Sequence, residues 1–193
     1  MKNCLSLPEG YEPMLAVDLQ KNKKLALLVN GIGLAIAILM VLPALRAVPI
    51  STLFDLSEGL GPYALRFGVL LIGSIAYIVL HELVHGVCMR VLSGARPRYG
   101  FTGMYAYAGS DAYFNKGSYI FIALAPVVLW GAVLAVINAL VPTPWFWVVY
   151  LIQITNCSGA GGDLYVTLRF LSLPRDILVQ DTGVSMTVYA PKT

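Results

Sequence analysis

Long apolar runs dominate the chain. Predominantly apolar stretches cover residues 25–45, 63–92, 118–141 and 145–171, separated by short segments richer in polar residues or proline. A helix needs about 20 such residues to cross a hydrocarbon core roughly 30 Å thick. Each run meets that length, so the pattern predicts an all-α integral membrane protein with four transmembrane helices, forming a single membrane-embedded domain over residues 1–193. Three places depart from the helical pattern. Residues 94–117 are rich in glycine and tyrosine and alternate through Arg98, Tyr99, Phe101, Met104, Tyr105 and Tyr107, which predicts a small hairpin or re-entrant element between the second and third helices, with an interfacial loop whose tyrosines sit at the headgroups as an equal reading of the composition. The tail predicts a short cytoplasmic hairpin, 177–180 and 184–189 around Asp181-Thr182-Gly183, and residues 14–19 read as extended.

Composition agrees with a membrane protein. The chain is 58% hydrophobic and 12% charged, above the roughly 45–50% apolar content of soluble domains. A formal charge of +3 needs no nucleic-acid partner, because the cations cluster at the ends of the runs. Lys21, Lys23 and Lys24 precede the first, Arg90, Arg96 and Arg98 follow the second, and Arg169 and Arg175 close the fourth. If the helices alternate, these groups share one side, and the positive-inside rule makes both termini of this multi-pass protein, expected in the cell membrane, cytoplasmic. Arg46 and Arg66 run against the trend, flanking the first outer loop. Residues 1–20 show no secretory signal pattern, so the first helix reads as an uncleaved anchor. Cys4, Cys88 and Cys157 suggest free thiols rather than a disulfide framework.

Within the second run, His81-Glu82-Leu83-Val84-His85 forms an H-E-x-x-H motif and uses both histidines of the chain. Four residues apart on a helix, the two imidazoles project from one face and reach one Zn2+, and the glutamate sits where a general base is needed. The competing reading is a polar contact between membrane helices. A charge at the bilayer centre costs about 2.5–3.5 kcal/mol on insertion scales, and a metal ion compensates Glu82 and its flanking histidines.

Catalytic zinc usually takes three protein ligands and keeps one position open. Asp163 is the only acidic residue in 145–171, within Asn156-Cys157-Ser158-Gly159-Ala160-Gly161-Gly162-Asp163. Its depth matches that of the motif. His85 lies five positions before Arg90 and Asp163 six before Arg169, which at 1.5 Å per residue puts both about 7–9 Å below the same surface. The alternatives are a structural Asp163 paired with Arg169 or with a polar group on another helix, Asp111 in the loop, and Cys88, which shares the histidine face. Asn156 is a candidate for holding a substrate carbonyl or oxyanion, with helix packing as the rival role. Asn30, Gly31 and Gly33 in the first helix point to close helix packing.

The Leu7-Pro8-Glu9-Gly10-Tyr11 opening, the lysines before the first helix, the HELVH motif, Ala123-Leu124-Ala125-Pro126 and the 156–163 segment together resemble a family of membrane-embedded zincin peptidases, distantly similar to site-2 proteases. The resemblance implies His81, His85 and Asp163 as zinc ligands, Glu82 as the base, Zn2+ as cofactor, and a peptide or membrane-protein substrate met at the bilayer. The second motif departs from the site-2 pattern. Ser158-Gly159-Ala160-Gly161-Gly162-Asp163-Leu164 stands where that pattern has prolines before Leu-Asp-Gly. A non-proteolytic metal-binding adaptor or regulator, and a proton or metal transporter using the His/Glu/Asp set as a relay, are the rival functions.

Overall fold

The computed structural model describes residues 2–18, 20–103 and 105–192. Leu19 and Met104, parts of two segments read as extended, lie outside the described residues. The order of elements is β1 (Tyr11–Val17), α1 (Lys23–Ala47), a 3-10 turn (Ile50–Phe54), α2 (Leu60–Ser93), β2 (Arg98–Phe101), β3 (Ala106–Gly109), β4 (Tyr113–Asn115), α3 (Lys116–Leu140), a 3-10 turn (Thr143–Trp145), α4 (Phe146–Gly159), α5 (Gly161–Leu171), β5 (Leu178–Asp181) and β6 (Met186–Pro191).

The protein is therefore not all-α, and it does not have four transmembrane helices. Among the described residues three helices, α1, α2 and α3, are long and apolar enough to cross a membrane. The fourth expected span, 145–171, breaks between Gly159 and Gly161, where Ala160 leaves helical geometry. Each helix-interior glycine costs about 1 kcal/mol relative to alanine, and three fall within four residues. The pieces have 14 and 11 residues, or about 21 and 16 Å at 1.5 Å per residue, short of a bilayer core. Hydropathy cannot register this break, because apolar residues continue through it.

The second departure is a sheet. Strands β1, β6, β5 and β4 form an antiparallel four-stranded sheet in that order, so the tail hairpin is its centre and the N-terminal strand its edge. Tyr11 pairs with Pro191 and Val17 with Met186, with a bulge between Pro13 and Leu15. The edge position tolerates Pro13, which has no N–H to give a ladder. β2 and β3 make a separate hairpin, Arg98 opposite Gly109 and Phe101 opposite Ala106. Gly103 at its tip has φ 87°, a conformation glycine enters without steric cost.

The chain forms two compact units. The first takes its described residues from Met1–Val29, Leu80–Pro126 and Gly162–Thr193. It holds both sheets, and its core is Met89, Phe114, Ile122, Phe170, Ile177, Val179 and Val188, each no more than 1% exposed. Asn115 caps α3, its side-chain oxygen accepting the Ser118 N–H at 2.9 Å, which satisfies one of the free donors of the first turn. Eleven of the thirteen Lys and Arg residues belong to this unit, Arg46 and Arg66 being the exceptions.

The second unit is Asn30–Val79 with Val127–Gly161, cored by Trp147, Val148, Leu53 and Ala44 and by Tyr77, Leu134, Val149 and Ile152. Arg66 is buried and donates to the Asp55 carbonyl and, at 3.4 Å, to Glu58, so it fastens the loop that it flanks. The spans face outward with Leu39, Leu71, Ile72, Val128 and Leu140, all exposed. Such surface suits lipid rather than water. Close packing occurs at Gly33, where a Cβ would lie 2.5 Å from the Ser158 carbonyl oxygen, whereas Gly31 has open space. Gly33→Ala is thus expected to lower stability by about 1–3 kcal/mol through overpacking and Gly31→Ala to cost nothing or to stabilise by up to about 1 kcal/mol, read by thermal unfolding in detergent.

Candidate metal centre

The last fourteen residues of α2 belong to the first unit, and the HELVH motif lies among them. Its histidines are one turn apart on one face, their ring centroids 4.8 Å apart and their planes at 79°. Both are buried, each 8% exposed. Asp163 comes to them from the first turn of α5. The glycine-rich break thus does more than end α4. It creates a new helix N-terminus, whose unpaired N–H groups and dipole favour a carboxylate in the first turn.

The ligating atoms converge. His81 Nε2 is 3.4 Å from Asp163 Oδ2, His85 Nε2 is 3.5 Å from Asp163 Oδ1, and the two Nε2 atoms are 3.2 Å apart. One donor atom from each residue lies within 4.8 Å of the others. Metal–ligand bonds of about 2.0–2.1 Å in a tetrahedron imply edges of about 3.3–3.4 Å between donors; the 3.2 Å between the imidazoles is close to such an edge, and Asp163 turns a different oxygen to each histidine. Two imidazoles and a carboxylate are also the donor set of a catalytic zinc site that keeps a fourth position open. The residues fit a zinc ion.

His85 is held from behind as well. Its Nδ1–H donates to the Ile122 carbonyl in α3 at 2.9 Å, the tautomer that leaves the Nε2 lone pair facing His81 and Asp163. Glu82, partly buried on the same turn, feels the charges of both histidines and Asp163, and the Ala108 backbone N–H of β3 bonds to its carboxylate. Because β3 pairs with β2 alone, this hairpin lies alongside α2. Gly86 lets it approach, since a Cβ there would overlap the end of the Tyr99 ring.

The other sequence candidates have partners of their own. Asp111 is exposed and forms a two-bonded pair with Arg98, at 2.8 and 2.5 Å. Cys88 packs against the apolar core of the first unit. Asn156 belongs to the second unit, where it is fully buried. Its side-chain oxygen accepts from the Tyr77 hydroxyl at 2.9 Å and its amide donates to the Val127 carbonyl at 3.1 Å.

Sequence reasoning missed one group. Asp181, read as a turn residue, accepts hydrogen bonds from the Tyr119 hydroxyl and the Gly183 N–H, and lies near enough to feel His85 and Asp163. Burial pushes its carboxyl above the usual carboxylate range, against the pull of these donors. The folded state therefore holds this proton more tightly than the unfolded chain. The contribution to stability is complete below about pH 3.9 and is lost as pH rises through the raised folded value. Tyr119→Phe removes a donor to the carboxylate and should cost about 1.5–3 kcal/mol at pH 7. The deficit should shrink at pH 4, as thermal unfolding at the two pH values would show. No such network was legible, since turn chemistry alone explains Asp-Thr-Gly.

The sequence profile of a family described as "Putative zincin peptidase" matches residues 74–178, a stretch that contains the HELVH motif, Ile122 and Asp163. The chain belongs to this family. The family's description names a peptidase of the zincin type, and zinc is the metal that this name denotes. It is also 29% identical over 117 residues to an uncharacterised 24.7 kDa protein from the gap 5′ region of Pyrococcus woesei, covering 58% of this chain and 50% of the relative. The matched region thus spans about half the length of that curated relative. No solved structure matches.

Proposed function

We propose that this zincin-family protein is a membrane-embedded zinc endopeptidase, similar in layout to site-2 proteases, that cuts membrane-associated or transmembrane peptides. His81, His85 and Asp163 hold the metal, and Glu82 is the general base. The observation that carries this reading is the convergence of three donor atoms within 4.8 Å beside the glutamate of the same helical turn.

Bound zinc supplies Lewis acidity toward a peptide carbonyl and makes water a stronger acid at the open position. Glu82 accepts the proton of the attacking water as its oxygen bonds to the carbonyl carbon. It then delivers that proton to the leaving nitrogen as the C–N bond breaks. Partial burial strengthens the charge interactions in the site. The Ala108 N–H aimed at Glu82 supports β3 as the substrate platform. An extended peptide would add to its outer edge by main-chain hydrogen bonds, with its scissile bond near the base. Asn156 would serve a substrate carbonyl only by exchanging its Val127 bond for it.

The concentration of cations in the unit that contains both termini supports a cytoplasmic location for that unit and for the catalytic groups. The test is zinc content of the detergent-purified chain together with cleavage of a fluorogenic transmembrane peptide. Roughly one zinc per chain and chelator-sensitive cleavage are expected. Metal-free protein after reconstitution with zinc would overturn the reading.

A further inference from the structure

Pro126 lies inside α3, buried. In an α-helix each carbonyl accepts the N–H four residues on, and proline has none. The carbonyl four residues before Pro126 is that of Ile122, the one that accepts the Nδ1–H of His85 at 2.9 Å. A proline ring inside a helix also crowds the carbonyl four residues before it. Ile122 is 1% exposed, so bulk water does not satisfy the oxygen, and a buried unpaired carbonyl would be costly. His85 completes a bond that α3 itself cannot make.

We infer that Pro126 is a positioning residue for the metal centre: by withholding its N–H it frees the Ile122 carbonyl to fix the tautomer and orientation of His85. This rests on the zinc-site reading above and extends it to a residue one helix away from the ligands. Any other residue at 126 would return an N–H to the helix, and that donor would compete with His85 for the same oxygen. Partners of this kind typically govern metal affinity by 10–100-fold.

The experiment compares full-length, detergent-purified wild type, Pro126→Ala and Pro43→Ala. Pro43→Ala likewise removes a helix-interior proline, from α1 in the second unit. Zinc affinity is read by competition with a chromophoric chelator. The expected result is zinc binding weakened about 10–100-fold in Pro126→Ala, with its metal-free thermal stability undiminished and Pro43→Ala at the wild-type affinity. Selective 15N-histidine labelling gives a second measurement that needs no variant, because the chain has two histidines. His85 should carry its proton on Nδ1 in wild type, with or without zinc. A His85 that carries its proton on Nε2 and none on Nδ1 in metal-free wild type, or a folded Pro126→Ala that binds zinc as tightly as wild type, overturns the inference. Wild type that binds no zinc while His85 keeps its Nδ1 proton overturns the metal-site reading, and the role assigned to Pro126 falls with it.

Discussion

Glu82→Gln is expected to keep its zinc and lose its turnover. The substitution preserves size and hydrogen-bonding capacity but cannot accept a proton, so the effect should fall on catalysis. Positioned general acid–base groups contribute about 10²–10⁴-fold, and hydrolysis of a transmembrane peptide should drop by at least that range. Zinc per chain should stay at the wild-type value, because the three converging donors belong to His81, His85 and Asp163. This pairing separates the functional classes. An adaptor or regulator that uses zinc only for shape would keep its function in Glu82→Gln. A proton relay would lose transport without any cleavage to lose. Cleavage at wild-type rate in this variant would remove Glu82 from the mechanism.

The convergence of His81, His85 and Asp163 was legible because its signals are chemical and local. His81 and His85 are the only histidines in the chain, four residues apart, and Asp163 stands alone among apolar neighbours. Depth along two helices with basic ends was enough to pair them. The architecture around the cluster was less legible, for a physical reason. Hydropathy reports how apolar a segment is, whereas the 145–171 run is divided by backbone preference at Gly159, Gly161 and Gly162. The same glycines that read as a weakening of one helix are what allow α5 to begin anew and offer Asp163 at its N-terminus.

The sheet was hidden differently. The tail hairpin and the 98–109 hairpin both carry local turn signals, and both form. Their joining with β1 and β4 rests on partners more than 60 residues apart, such as Tyr113 with Gln180 and Val17 with Met186. Pairing at that separation leaves no periodic mark in the sequence. It bears on the site nonetheless, because β5 ends on Asp181 and the turn after it sets Gly183 against Tyr107 of the β2–β3 hairpin. The tail thereby becomes part of the surroundings of the site.

Asp163→Ala carries the second large expectation, loss of the metal itself. Removing a partner that only orients a ligand costs about 10–100-fold in affinity, and Asp163 is assigned as a ligand with formal charge. Zinc affinity should therefore fall by more than about 100-fold, and cleavage should vanish with it. Asp163→Asn separates charge from geometry. It retains one carbonyl oxygen in the place of the carboxylate but not the charge that balances a divalent ion, so it should bind zinc more weakly than wild type and more tightly than Asp163→Ala. Metal analysis of the purified variants after dialysis against buffered zinc reads all three. The outcome that would sink the assignment is full zinc occupancy in Asp163→Ala with wild-type affinity. The third donor would then have to come from elsewhere, and neither Asp111, bonded to Arg98 on the surface, nor Cys88, packed into the core of the first unit, could supply it without leaving its present partners. The convergence of three donors, one from each residue, within 4.8 Å is the physical ground for expecting the opposite.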